Sequence, residues 1–504
     1  MLDYIKKYPK PLQLSIIEGM VASLMFGGGT IFIIPFAVFL GANSFQIGLL
    51  SAIPALLGAW LQLGSIKLLE VYKKRKNAIV IMVFLQALSW LLIAAIPFLF
   101  SSNQVTWLIL ITTIGTMAGS IGGPLWQSWM RSLTPQEILG EYFGVRNALT
   151  GLIVFLTMLG SGMLLDLVEP NATVIAFSSI CAISFIGRLL SSLTFTRIEE
   201  PEFEVDGTEK TTIFTFIKQL GKDNFGYFVL FGALMTFSIS AVGTFFPVYL
   251  LETLGLADNY FVYTLIICAS SITSLISMPY WGKVVDKFGT IKVLKATGFL
   301  ACLFPLVYIF VKEPFGLIAF ELLGGVLYSG FNLCIANFIY ESFNPNKLIK
   351  YGGYQGALFG TATFMGIIIT GFVMTFNISF FIFTTTFYIV CAISVLLRLI
   401  FYSTLINRIS DVRKTTPIKN RAIILKVLTF EPVRETLIGS FIPIIIVTEN
   451  TLKRATDKTI LTVKQLEQKS QQELIQTIQR VDTMTKREIT MAKEIINKKR
   501  KGFL

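Results

Sequence analysis

WGKVVDKFGTIK, residues 281–292, is a short charged interruption between two long apolar runs. Its spacing of Gly282, Asp286, Lys287, Gly289 and Lys292 gives each residue type a physical task. A glycine at a helix end lets two backbones approach, Asp286 can cap the following helix or pair with a cation, and Gly289 permits a sharp turn. The lysines hold such a connection on the cytoplasmic side of a membrane. A chance basic turn would share the lysines and glycines but rarely all five positions in register.

Outward from that stretch, the chain is a succession of similar apolar runs. A membrane helix needs about 20 apolar residues, and twelve runs qualify, from Leu12–Leu40 and Phe45–Leu69 through to Ile378–Leu399. With 54% hydrophobic and 14% charged residues and a mean hydropathy of +0.69, the chain has lipid as its solvent. The expected fold is an all-α membrane protein. Alternate connections carry the cations (Lys73 to Lys76, Arg131 and Arg146, Lys210 to Lys222, Lys283 to Lys292, Lys347 and Lys350), while Lys312 is the exception opposite. That bias and an even span number predict a multi-pass protein of the cell membrane with both termini cytoplasmic.

Composition also excludes functions. Residues 401–504 hold 20 Lys/Arg against 10 Asp/Glu of a chain whose total is +13, so the basic balance belongs mainly to a tail. A cationic segment near a lipid surface is expected, and no nucleic-acid partner. All five cysteines lie in apolar runs without CxxC spacing, and there is no histidine. Disulfides, a metal site and any cofactor are therefore not expected. The apolar stretch after MLDYIKKYPK lacks a small-residue cleavage site and reads as an uncleaved first span.

Two halves repeat. Ser132-Leu-Thr-Pro135 recurs as Ser342-Phe-Asn-Pro345, Ala148-Leu149 as Ala357-Leu358 and Leu40-Gly41 as Leu254-Gly255, a parallel repeat of about 210 residues. The expected organisation is a six-helix half over 1–196, a central cytoplasmic loop with an amphipathic helix over 197–224, a second six-helix half over 225–400 and a basic helical tail over 401–504. Within the tail, Leu437 to Val447 is too short to span and suits an interfacial segment, and Thr451 onward has helical composition.

Twelve spans, parallel halves, a polar central loop and the G-x-x-x-D-R/K-x-G-x-x-K/R pattern of 282–292 together resemble the major facilitator superfamily over about residues 10–400. The first-half counterpart after Gly64 is degraded: Leu68 stands at the Asp position, with Glu70 a displaced substitute, which puts the usual latch between second and third helices in doubt. The stretch PLWQSWMRSLTPQEILGEYFGVRN resembles the fourth-to-fifth-helix region of a prokaryotic branch of that superfamily through Pro124, Trp126, Ser128, Trp129, Pro135, Gly140, Phe143 and Arg146.

The resemblance implies a secondary transporter working by alternating access, a monomer without cofactor, surrounded by lipid, moving a small solute. It also implies that the first, fourth, seventh and tenth spans line the cavity. Gly27 to Thr30, Ser120, Gln127, Ser238, Ser240, Thr244, Tyr328, Asn332 and Asn337 are the candidate lining, although glycine and hydroxyl residues equally serve helix packing. With no Arg or Lys near the centre of those spans, a neutral, cationic or amphiphilic solute fits best. Carboxyls inside spans are costly and so are functional candidates. Glu18, paired with Arg146 or Arg188, is either a proton-coupling group or a structural ion pair. Glu321 is either a gate or a structural contact. The competing class is a transporter-like receptor or scaffold signalling through the basic tail; the absence of G-x-x-x-x-G-K-S/T disfavours an ATPase, and no enzyme activity is expected.

Overall fold

The computed structural model describes residues 8–65, 74–135, 138–201, 212–343, 345–376, 378–381, 383–412, 420–436 and 490–491. Among these residues twelve helices are long and apolar enough to cross a membrane: Lys10–Phe39, Ser44–Gly64, Arg75–Leu99, Gln104–Leu133, Val145–Leu167, Pro170–Phe195, Asn224–Thr253, Tyr260–Phe288, Thr290–Phe310, Pro314–Ile339, Lys350–Met374 and Thr386–Arg408. Among the described residues the architecture is all-helical, apart from a single bridge between Phe380 and Phe383. An even span number returns the chain to the face on which it began. That face, bearing Lys10 and Arg408, is here called proximal and the other distal.

Local chemistry sets the helix ends. Asn43 and Gln46 form a reciprocal capping box at the second span, and Asp223 accepts from the Gly226 N–H at 2.6 Å to start the seventh. After the first span of each half the chain turns through Gly41 (φ 80°) and Gly255 (φ 69°), a left-handed conformation that explains why that pair repeats. Within the first half the third span packs against the fourth and sixth, and the first against the fifth and sixth; within the second half the eighth packs against the tenth and the seventh against the eleventh and twelfth. The halves meet along the second and eleventh spans and along the fifth and eighth. Small residues allow that approach: a Cβ on Gly360 would stand 2.2 Å from the Ala59 Cβ.

Three expectations shift. The 281–292 stretch is mostly helical, because the eighth span continues to Phe288 and only then turns at Gly289 (φ 99°). The second span runs from Ser44 to Gly64 within the described residues, and its expected end at Leu69, like Leu68 and Glu70, lies outside them. The last span starts at Thr386 rather than Ile378, since the Thr386 hydroxyl donates to the Phe376 carbonyl (2.6 Å) and accepts from the Ile378 N–H (2.9 Å), holding a turn before the helix. It runs beyond 400, as helix to Leu405, so the boundary expected at 400/401 falls inside an element.

Among its described residues the central connection holds one short helix, Ile213–Ile217, capped by Thr212. It buries Phe216 against Tyr354 and Phe225 while Phe214 stays exposed. In the tail, helix Asn420–Leu428 buries Ile423 and Val427 and packs on the ninth and tenth spans. Residues Met1–Thr436 form one compact unit and Leu437–Leu504 a second. The expected interfacial run Leu437 to Val447 lies outside the described residues, as does the predicted helix from Thr451 apart from residues 490–491.

Candidate functional site

Glu18 sits eight residues into the first span, about 12 Å along a helix rising 1.5 Å per residue. Only 3% of it is exposed. Its Oε2 faces Arg146 Nη2 of the fifth span at 3.1 Å, and its Oε1 accepts from the Ser191 hydroxyl at 2.8 Å and faces Arg188 Nη1 of the sixth span at 3.9 Å. Both guanidiniums are held further out: Arg146 Nε donates to the Ser15 carbonyl and its face lies 4.6 Å from the Trp126 ring, while Arg188 Nε donates to Gln86 Oε1 at 2.7 Å. Gly19 makes room, since a Cβ there would stand 2.7 Å from Arg146 Nη2. The network thus brings Glu18, Arg146 and Arg188 together and joins the first and third to sixth spans. Two arginines share one carboxylate. Gln86 and Ser191 were not anticipated.

The second half answers this triad only in part. Shifting Arg188 by the 210-residue repeat lands on Arg398, 1% exposed. The matching positions for Glu18 and Arg146, by the repeats flanking them, are Gly232 and Gln355. Arg398 has neutral partners instead: the Ala301 carbonyl (2.8 Å), the Ser238 carbonyl (3.1 Å) and the Tyr328 hydroxyl (3.2 Å). Pro305, four residues after Ala301, has no N–H to offer that carbonyl, so Arg398 satisfies a helix bond that proline removes. The repeat and the proline were the sequence signals for Arg398. Glu321, 7% exposed, accepts from the Tyr308 hydroxyl at 2.7 Å among packed aromatic rings.

The candidate lining divides. Gly27 to Gly29 face other helices of the first half: a Cβ on Gly27 would lie 2.3 Å from the Val154 carbonyl and one on Gly29 2.4 Å from the Trp90 ring. This stretch is a π-helical turn, Met25–Thr30, in which the Gly29 N–H donates to the Ser184 hydroxyl at 2.9 Å. Ser238 is fully buried, and its hydroxyl donates to Leu234 O; Ser240 donates to Phe237 O and towards Thr363 O of the eleventh span. These residues pack helices together, because their polar atoms already have partners. Thr30, Gln127 and Asn332 are exposed and Asn337 half-buried.

In the 281–292 stretch, open space surrounds Gly282, where no atom lies within 4 Å of a built Cβ. The close-approach task expected of it is not performed. The N-terminus of the ninth span is capped by Asp411, whose Oδ1 accepts from the Ile291 N–H at 2.8 Å. In the first half, Glu200 does the same for the third span, accepting from the Arg75 and Lys76 N–H groups (2.9 and 3.2 Å) and pairing with the Arg75 side chain at 3.1 Å. Each cap comes from the chain leaving the sixth helix of its own half. Lys287 lies over the Phe288 ring at 5.3 Å, and Lys292 stands in the first turn of the ninth span. Among the described residues no cluster of three His, Cys, Asp or Glu could hold a metal ion.

The major facilitator superfamily model matches residues 19–311 and 258–448. No curated protein matches by sequence. The crystal structure of the D-xylose-proton symporter superposes with a TM-score of 0.59 at 15% identity, over 80% of this chain and 99% of that one. The nucleoside transporter NupG gives 0.58 at 14%, over 78% and 99%, and the xylose transporter XylE from E. coli, in a partially occluded inward open conformation, gives 0.57 at 13%, over 81% and 100%. At such identities the likeness is one of fold. Matched by the family model over more than half its length, the chain belongs to the major facilitator superfamily and is a multi-pass membrane transporter, not an enzyme.

Proposed function

We propose that the protein is a secondary active transporter that moves a small neutral, cationic or amphiphilic solute by alternating access, its two halves rocking about a central site. The observation that carries this is the unoccupied polarity of the first, fourth and tenth spans. Thr30, Gln127 and Asn332 are exposed within membrane helices, where exposure to lipid would be costly. Proximal is read as cytoplasmic, since Arg131 and the lysines of 283–292 lie at that end. The proton is the candidate coupling ion, with Glu18 its carrier and Arg146 and Arg188 the cations that hold and release it. Glu321 is the second candidate gate.

Reconstituted protein should accumulate a solute from a broad panel under an imposed proton gradient. Glu18→Gln should abolish that accumulation while sparing downhill exchange, because the neutral side chain can rock but cannot release a proton. Accumulation that survives in the mutant with unchanged pH dependence would leave Glu18 as a structural contact. A wild-type protein that moves nothing across the panel would sink the transport reading.

A further inference from the structure

Among the described residues, the charges buried at depth already have their partners. Glu18 is held by Arg146, Arg188 and Ser191. Arg398 is held by two backbone carbonyls and Tyr328, and Glu321 by Tyr308. Four of the candidate lining side chains that make no hydrogen bond to described residues are of the opposite kind: Thr30, Gln127, Asn332 and Asn337 are all neutral, and each carries both a donor and an acceptor.

Their placement follows the repeat. Gln127 and Asn337 are 210 residues apart, the same separation as Ser132 from Ser342 and Pro135 from Pro345, so the fourth and tenth spans present an amide at equivalent positions. Gln127 lies about 140° around its helix from Ile114, the residue of that span most exposed on its apolar face, at 100° per residue. Seven residues before Gln127 on the same face, Ser120 stands against Gly58 of the second span, and the second span is the one that meets the eleventh span of the other half. The Gln127 face is therefore turned toward the second span, one of those that line the junction of the halves, and away from lipid. On the tenth span, seven residues before Asn337 on the same face, a Cβ on Gly330 would stand 2.9 Å from Trp281 of the eighth span, the one that meets the fifth span of the first half.

From this juxtaposition we infer that the transported solute is uncharged and bears both hydrogen-bond donors and acceptors, and that Gln127 and Asn337 grip it from the two halves in equivalent ways. The inference rests on the transport reading above and narrows its solute class. A charged solute taken into a membrane interior needs a countercharge. Here Glu18, Arg146 and Arg188 are engaged with one another, Arg398 through its two Nη atoms with carbonyls and Tyr328, and Glu321 with Tyr308, leaving amide and hydroxyl dipoles. Those dipoles match a solute that both gives and accepts hydrogen bonds, and an amide on each half lets one such solute draw the halves together.

The test is counterflow exchange by the full-length protein in proteoliposomes, using solutes matched in skeleton and different in charge. Suitable sets are a hexose with its amino sugar and uronic acid, and a nucleoside with its 5′-monophosphate, inside a wider panel of polyols and amides. For each skeleton carried, the uncharged parent should exchange at least tenfold faster than its charged relatives. Gln127→Leu and Asn337→Leu should each slow that exchange at least tenfold, with unchanged gel-filtration profile and melting temperature as the check on folding. Gln127→Glu should raise the rate of the ammonium-bearing member relative to its parent at least tenfold. A charged member that outpaces its uncharged parent in the wild-type protein overturns the inference while leaving transport standing, as do wild-type rates in both leucine variants. No exchange of any panel member overturns the transport reading, and this inference with it.

Discussion

Arg146 and Arg188 converge on a carboxylate with 3% exposure, and removing the shared partner leaves two guanidiniums without an anion. Breaking a buried pair by deleting one side costs about 3–5 kcal/mol. Glu18→Leu should therefore lower the melting temperature markedly. Glu18→Gln with Arg146→Gln should return a coupling of about 1 kcal/mol or more in a double-mutant cycle; additive losses would mean that the pair does not act as a unit. The position of Glu18 in an apolar run already marked it, because a carboxyl there needs a partner. Which cation it takes was not legible, since partners 128 and 170 residues away are chosen by helix packing. Arg398 went unmarked for a related reason: with neutral oxygens as partners, it leaves no complementary charge in the sequence to find. Arg398→Leu would strand the Ala301 carbonyl, an effect of about 1–3 kcal/mol, readable as a lower melting temperature.

Helix ends carry the next level of argument. The third and ninth spans each begin beneath an acid supplied by the chain leaving the sixth helix of the same half, Glu200 and Asp411. An N-cap of this kind is worth about 1 kcal/mol, and a carboxylate gains further from the helix dipole. Truncation after Thr436 should accordingly leave the membrane body intact, whereas truncation after 400 should reduce its melting temperature. It removes Asp411, the end of the last span and the helix Asn420–Leu428 together. Equal stability of the two truncations would show the tail segment to be dispensable. The docked segment should also respond to pH. Partial burial pushes the Glu431 carboxyl up, but hydrogen bonds from Lys426 and Tyr280 outweigh it and leave it below the usual carboxylate range. For Lys426, burial lowers and the bonds to Glu431 and Tyr280 raise, leaving it above the ordinary lysine range. Glu431 thus contributes stability above the ordinary carboxylate range that is lost as pH falls through its depressed value, and Lys426 contributes below the ordinary lysine range until pH passes its raised value. Protease protection of Asn420–Leu428 should be greatest between those limits; a flat profile would show that Ile423 and Val427 alone hold the helix. Apolar run length identified the twelve spans, with ends displaced by up to nine residues, but not these caps. A lone acid in a polar connection is ordinary, and only the fold brings it to another helix.

For the molecule as a whole, the distal end has a polar link that the proximal-side pattern did not foretell. Asp166, at the end of the fifth span, accepts from the Tyr260 and Phe261 N–H groups that open the eighth, at 2.6 and 2.8 Å. One carboxylate of the first half thereby caps a helix of the second, with Tyr260 packed edge-on against Phe177 beside it. Rocking the halves apart at this end must break both bonds. Asp166→Ala should raise distal-side labelling of single cysteines placed along the fifth and eighth spans; unchanged labelling would mean that the aromatic contacts alone set the closed end. The two caps on the third and ninth spans act differently, because they stay within a half, and their place along the chain has a consequence for synthesis. The first six helices lack the cap on the third until residue 200 has left the ribosome, and can gain it before the seventh has emerged. The second six wait in the same way for residue 411. The protein should therefore mature in the membrane as two successive, separately completed bodies, and a nascent chain halted with Glu200 still inside the ribosome should remain open to proteases where one halted with Glu200 outside it is already shut.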